Sequence, residues 1–225
     1  MKLLSSVPSP FAGRVRLAIY AKSLPVEIAP ADMWLPEGGK AAAYLAINPM
    51  GKIPSLVLDD GTVIPESDTI VEFLADAFPE ARLRPSDPRD AAVARLLARI
   101  VDLYVVPPGS LLIGQLDPAR RHAAAVDRAV ADLDRGLGWL DARLGEGAYA
   151  VGDVVTSADC AMVPHLMFFA AGLGRSLSGR DLIAAHPRLA AYWARMQAEP
   201  VAAGLLAEMK GALKETRLGP FMPAD

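Results

Sequence analysis

Apolar residues change their spacing along this chain, and the change divides it. In the first third, short apolar runs alternate with rows at helix spacing. Residues 2–6 read as a short buried strand. Ser9-Pro10 then opens a helix, because serine caps a helix well and proline suits its first position. Phe11, Val15, Ala18 and Ile19 recur on one side of it, away from Arg14, Arg16 and Lys22. Residues 24–28 fit a second strand, 29–39 a loop with Pro30, Pro36 and Gly38-Gly39, and 40–46 a short helix. Residues 55–58 and 62–64 read as paired strands, since Asp59-Asp60-Gly61 between β-type runs signals a hairpin. Pro54 opens this hairpin and Pro65 closes it. Ile70, Val71, Phe73 and Leu74 then mark a helix that starts at Glu66-Ser67. Its free N–H groups and positive dipole end suit a carboxylate ligand.

The pattern changes at residue 79. Residues 79–88 are charged, proline-rich and without period, which reads as a linker. Beyond it the strand signals stop. Val93, Leu96, Leu97, Ile100 and Tyr104 step by three and four, and Pro107-Pro108-Gly109 reads as the end of that helix. Asp117-Pro118 reads as the start of the next. Val126, Val130, Leu133, Leu137, Leu140 and Leu144 form a long seam suited to burial against a neighbour. Thr156 caps a further helix, with Asp159 placed to reach back to the Thr156 N–H, and Pro164 is expected to bend it. The tail 217–225 has no packing pattern and reads as a cover over a pocket or a loose end. The chain thus divides into 1–78, an α/β unit, a linker at 79–88, and 89–225, all helical.

Composition narrows the classes. The 225 residues are 52% hydrophobic and 22% charged, which describes a globular chain with a real core. A net charge of −3 argues against a nucleic-acid surface. No apolar run in the sequence approaches a transmembrane length, and the first residues lack a signal-peptide core, so a cytoplasmic protein with no membrane partner is the expectation. One cysteine excludes an internal disulfide. His122, His165 and His186 are scattered without metal-ligand spacing, so no metal is expected. Cys160 lies beside a structural aspartate on a buried helix, which suits a thiol kept from chemistry. His165 and Met167-Phe168-Phe169 read as core.

The run Asn48-Pro49-Met50-Gly51-Lys52-Ile53-Pro54, the hairpin, and then Pro65-Glu66-Ser67 before Ile70 and Phe73-Leu74 resembles the glutathione half-site of the cytosolic glutathione transferases. Pro8-Ser9-Pro10-Phe11 before Arg14-Val15-Arg16 is similar to the serine motif of the tau branch and related bacterial members. Gly152-Asp153 followed by Thr156 and Asp159, and His186-Pro187 before Tyr192-Trp193, resemble elements of the same family's helical part, so the likeness covers nearly the whole chain.

The resemblance implies a thioredoxin-like N-terminal domain, an all-α C-terminal domain and a homodimer. It implies a cis bond before Pro54, with the Ile53 backbone pairing with the cysteinyl part of glutathione. Glu66 and Ser67 would hold the γ-glutamyl end. Ser9 would donate to the glutathione sulfur as the catalytic residue, with Ser5 and Ser6 as alternatives. Lys40 stands as far before Asn48-Pro49 as a glutathione-binding lysine does in the tau branch, and Lys52 has a similar but weaker case. The implied activity is addition of the glutathione thiolate to a small hydrophobic electrophile, as in detoxification. An isomerase, dehalogenase or reductase using the same thiolate, and a binding protein that kept the scaffold, remain open.

Overall fold

In this computed structural model, residues 1–35 and 38–223 are described. Pro36, within the expected loop, and the last two residues of the expected tail lie outside the described residues. Four strands make one sheet in the order β2-β1-β3-β4. β1 (Lys2–Ser5) pairs parallel with β2 (Glu27–Pro30) and antiparallel with β3 (Ser55–Val57), which pairs antiparallel with β4 (Val63–Pro65). Helices α1 (Pro10–Lys22), α2 (Ala42–Ile47) and α3 (Ser67–Ala77) are interleaved with these strands. From residue 88 onward the described chain is helical: α4 (Pro88–Ile100), α5 (Val106–Ile113), α6 (Ala123–Arg143), α7 (Ser157–His165), α8 (Arg175–Ser178), α9 (Pro187–Ala198) and α10 (Pro200–Lys214). This is the arrangement that the resemblance implied: a thioredoxin-like mixed sheet followed by an all-helical half.

β2 begins three residues later than expected. Helix α1 ends in a left-handed Ser23, and Leu24 and Val26 turn inward as core. Pairing of Lys2 with Glu27 then sets where the strand starts.

The helix after residue 88 does not stop at Pro107-Pro108. A π-helical stretch, Val101–Val105, carries it on into α5, and the Val106 N–H bonds the Val101 carbonyl. The two prolines follow the widened turn directly, at the join where the regular ladder of hydrogen bonds is already interrupted. A second π stretch, Leu166–Gly174, follows Pro164 and joins α7 to α8. These joins make Pro88–Ile113 (26 residues) and Ser157–Ser178 (22 residues) continuous helices, long and apolar enough to cross a membrane, contrary to the expectation from the sequence. In the fold they serve as packing helices, and the second is mostly buried. Asp117-Pro118 opens a single 3-10 turn, and α6 starts only at Ala123.

Two buried polar centres tie the halves together internally and to each other. Asp159 is fully buried and accepts from the Ala150 N–H at 2.8 Å, the Thr156 N–H at 2.9 Å, the Thr156 hydroxyl at 3.1 Å and the Tyr192 hydroxyl at 3.0 Å. Burial raises its pKa and the four donors oppose that shift. The expected capping box is therefore present, with Tyr192 of α9 added. Between the halves, Arg14 of α1 is 1% exposed and holds Asp102 of the π stretch through both carboxylate oxygens, at 2.5 and 3.2 Å.

Candidate functional site

One cavity of about 460 Å³ is lined by Ser9, Lys40, Ile53, Pro54, Glu66 and Ser67, together with Phe11, Met33, Trp34, Asn48, Gly51, Lys52, Val106 and Ser110. The six residues proposed from the sequence come from four separate segments, and the fold brings all of them to this one wall. Ser5 and Ser6 line a different cavity of about 570 Å³, which shares only Met33 and Trp34 with the first.

Each side chain is placed by local chemistry. Ser9 is the N-cap of α1, and its hydroxyl oxygen accepts from the Ala12 N–H at 3.3 Å. Acting as acceptor leaves its proton free to donate. The peptide bond Ile53–Pro54 is cis. The loop before it is pinned by two buried side chains. Asn48 donates to the Lys52 carbonyl at 2.8 Å and to the Ser55 hydroxyl at 3.3 Å, and accepts from the Met50 N–H at 3.1 Å. The Tyr44 hydroxyl donates to the same Lys52 carbonyl at 2.6 Å. Gly51 has a φ of +58°, and a Cβ there would also press on Leu45 at 3.1 Å, so the turn needs glycine. Ile53 makes no backbone hydrogen bond to another described residue, so its N–H and C=O are available.

Glu66 turns the chain from β4 into α3 with a φ of 67°, a conformation few side-chain-bearing residues adopt. Ser67 is the first residue of α3, and it lies at 4% exposure rather than near the surface, as an edge-of-helix serine would be expected to. Its hydroxyl has no hydrogen-bond partner among the described residues. Lys40, Lys52 and Glu66 make no ion pair among the described residues either. The Lys40 ammonium instead sits 3.5 Å above the Trp34 ring.

Several lining residues carried no readable signal. Val106 and Ser110 reach the cavity only because the helix continues through the prolines. Met33 and Trp34 sit in a segment that reads as featureless loop. His165 and Met167-Phe168-Phe169 stay in the core, as expected, and none lines this cavity. His165 meets Phe11 edge-on at 5.0 Å between centroids, and burial holds its imidazole neutral. Cys160 is fully buried, and burial pushes its thiol pKa far up. Among the described residues no cluster of His, Cys, Asp or Glu has the makings of a metal site.

Residues 8–77 match the glutathione S-transferase N-terminal domain, and residues 123–195 match the C-terminal domain. A protein of Oryza sativa subsp. japonica named a probable glutathione S-transferase is 33% identical over 228 residues, spanning 96% of this chain and 92% of that protein. The chain belongs to the glutathione S-transferase family. Another family relative, a maleylacetoacetate isomerase of Pseudomonas aeruginosa, is 30% identical over 198 residues, 83% of this chain and 92% of its own. Among solved family structures, a glutathione S-transferase of Methylobacterium radiotolerans in complex with glutathione sulfonate superposes with a TM-score of 0.74 at 29% identity, covering 91% of this chain and 93% of that one. A tau class glutathione S-transferase of mango superposes with a TM-score of 0.79 at 25% identity, covering 97% of each chain.

Proposed function

We propose that this chain is a glutathione transferase whose working site is the cavity at the Ile53–Pro54 bond. One observation carries the reading: the cavity wall holds two lysines and one glutamate without ion-pair partners, beside an unpaired buried serine at a helix N-terminus. Glutathione has the complementary set, two carboxylates and one ammonium. Glu66 takes the γ-glutamyl ammonium, and Ser67 with the α3 N-terminus takes its carboxylate. Lys40, supported by Lys52, takes the glycyl carboxylate. The Ile53 N–H and C=O pair with the cysteinyl unit, and the peptide then lies across the cavity with its sulfur toward Ser9.

The chemistry follows from that placement. A cysteine-type thiol has a pKa near 8.5, so roughly 3% is ionised at pH 7. The Ser9 hydroxyl and the N-terminus of α1 both favour the thiolate over the thiol. A lowering of about two units raises the ionised fraction to roughly 75% at pH 7. The thiolate sulfur forms a C–S bond with the electrophile, and the electron pair leaves with the departing group or is taken up by an adjacent acceptor and protonated by solvent. The rate gain is smaller than the gain in ionisation, because a less basic thiolate is a weaker nucleophile. Phe11, Met33, Trp34 and Val106 give the rest of the cavity an apolar character suited to a small hydrophobic electrophile.

The finer organisation follows the same reading: residues 1–78 as the glutathione-binding domain, 79–88 as linker, 89–225 as the domain that shapes the electrophile side, in a cytoplasmic homodimer serving detoxification. Support for the dimer comes from a groove with exposed Leu103, Tyr104, Leu111 and Trp139, and from Met50 at 70% exposure on the other half of the chain.

The test is thiolate absorbance of the glutathione complex against pH, for wild type beside Ser9→Ala. Ser9→Ala should raise the apparent thiol pKa, keep most of the affinity at neutral pH and recover part of its activity in alkaline buffer. Superimposed titrations would reduce Ser9 to a helix cap. A second reading, glutathione-dependent cis–trans isomerisation, is favoured by the isomerase relative. Turnover of a cis-enedioate with no net consumption of glutathione would select it over conjugation of an aryl halide.

A further inference from the structure

Trp34 is the exposed aromatic residue of the cavity wall, at 64% exposure. An isolated large apolar side chain in water gains little from its neighbours, so its contacts are informative. The loop that bears it folds back on itself. The Leu35 N–H bonds the Gly39 carbonyl at 3.1 Å, the Ala41 N–H bonds the Met33 carbonyl at 3.1 Å, and Trp34 and Lys40 form an isolated antiparallel bridge. Gly38 and Gly39, at φ of +95° and +85°, permit the reversal. The result sets the indole face under the Lys40 ammonium, 3.5 Å from nitrogen to ring centroid.

A lysine in a binding site can be held in two ways. A carboxylate partner would fix it and also neutralise it, so an incoming anion would have to break that pair. An aromatic face fixes it through the ring quadrupole and leaves the charge unspent. The free lysine stem is long, and ordering it on binding costs rotamer entropy. Here no acidic group among the described residues pairs with Lys40, and only the ring meets it.

Resting on the glutathione assignment above, we infer that Trp34 is a positioning residue: its ring holds the Lys40 ammonium, charged and pre-ordered, for the glycyl carboxylate of glutathione. The effect is specific to that carboxylate. It acts on binding, because Lys40 lies at the peptide end and not at the sulfur.

The test is calorimetric titration of wild type, Trp34→Phe, Trp34→Leu, Lys40→Met and the Trp34→Leu/Lys40→Met double variant with glutathione and with γ-glutamylcysteine, which lacks the glycine. Leucine keeps apolar bulk and removes the ring face; phenylalanine keeps a ring. Trp34→Leu should bind glutathione about two- to five-fold more weakly, the range for an exposed cation–π contact. It should bind γ-glutamylcysteine as wild type does, lose nothing further in the Lys40→Met background, and raise the KM for glutathione. Trp34→Phe should recover part of the loss. Equal binding by Trp34→Leu and wild type, equal loss for both peptides, or an undiminished loss in the Lys40→Met background would each overturn the assignment of Trp34 alone. Wild-type protein that binds neither peptide would overturn the glutathione reading itself, and this one with it.

Discussion

Asp102→Ala should be among the costliest single truncations outside the apolar core. Arg14 is 1% exposed, and its guanidinium meets Asp102 at 2.5 and 3.2 Å and Asp68 at 3.4 Å. Opposite unit charges about 4 Å apart attract by about 4 kcal/mol at an effective dielectric of about 20. Much of that offsets the desolvation of the pair, so the intact pair adds little. Its disruption is another matter, because a buried cation is then left short of partners. Breaking a buried pair costs about 3–5 kcal/mol. Asp102 is 19% exposed and Asp68 stays within reach of Arg14, which places this case near the lower end, about 3 kcal/mol. For a chain of this length that is a fall of roughly 6–12 °C in Tm. Urea denaturation of wild type, Asp102→Ala, Arg14→Met and the double variant forms the cycle. The double variant should be more stable than Asp102→Ala alone, since it no longer buries an orphaned charge. If Asp102→Ala lies within about 0.5 kcal/mol of wild type, or the two substitutions simply add, the buried-charge argument fails.

Three further outcomes are expected. Burial raises the Asp68 pKa while Arg14 opposes it; a raised carboxyl favours the folded state most below the unfolded carboxylate pKa and loses that contribution as pH rises through the folded value. Arg14→Met raises it further, so in denaturation series its deficit against wild type should be small in acid and grow toward neutrality; a deficit that shrinks with rising pH would contradict this. Ser67→Ala should weaken glutathione binding by about 1.5–3 kcal/mol, the worth of a hydrogen bond to a charged group, without lowering the Tm of the free protein, and calorimetry with unchanged affinity would remove Ser67 from the site. Glu66→Gly should relieve a backbone conformation costing about 1–3 kcal/mol, so the variant should melt higher while binding glutathione less well. A lower Tm there would mean the strain is absent.

Much of this molecule was legible in its sequence, for a physical reason. Ser9-Pro10, the Asp-Gly hairpin and the Thr156/Asp159 cap are local signals, set by backbone groups within a few residues of each other. The lining residues Ser9, Ile53, Pro54, Glu66 and Ser67 sit beside such signals. What stayed hidden depends on distant partners. The start of β2 is fixed by its register against β1. Pro107-Pro108 looks like a stop, because nothing nearby reveals the widened turn that accommodates it. Trp34 and Val106 reach the cavity through a folded-back loop and an uninterrupted helix, and neither leaves a mark in periodicity.

The π stretch Val101–Val105 has one more consequence, which concerns helical phase. Successive residues of an α-helix are rotated by about 100° around its axis, so one residue added or removed re-aims everything beyond it. The wide turn absorbs such a residue between Asp102, which faces Arg14, and the Val106 and Ser110 pair, which faces the cavity. It works as a phase adjuster: the clamp to α1 and the cavity-facing wall lie on one rod, yet their directions are set independently. Excising a single residue from this stretch would leave the ion pair in place and swing Val106 and Ser110 off the cavity by about a quarter turn. The lining residues of the α/β half would remain, facing a different second wall.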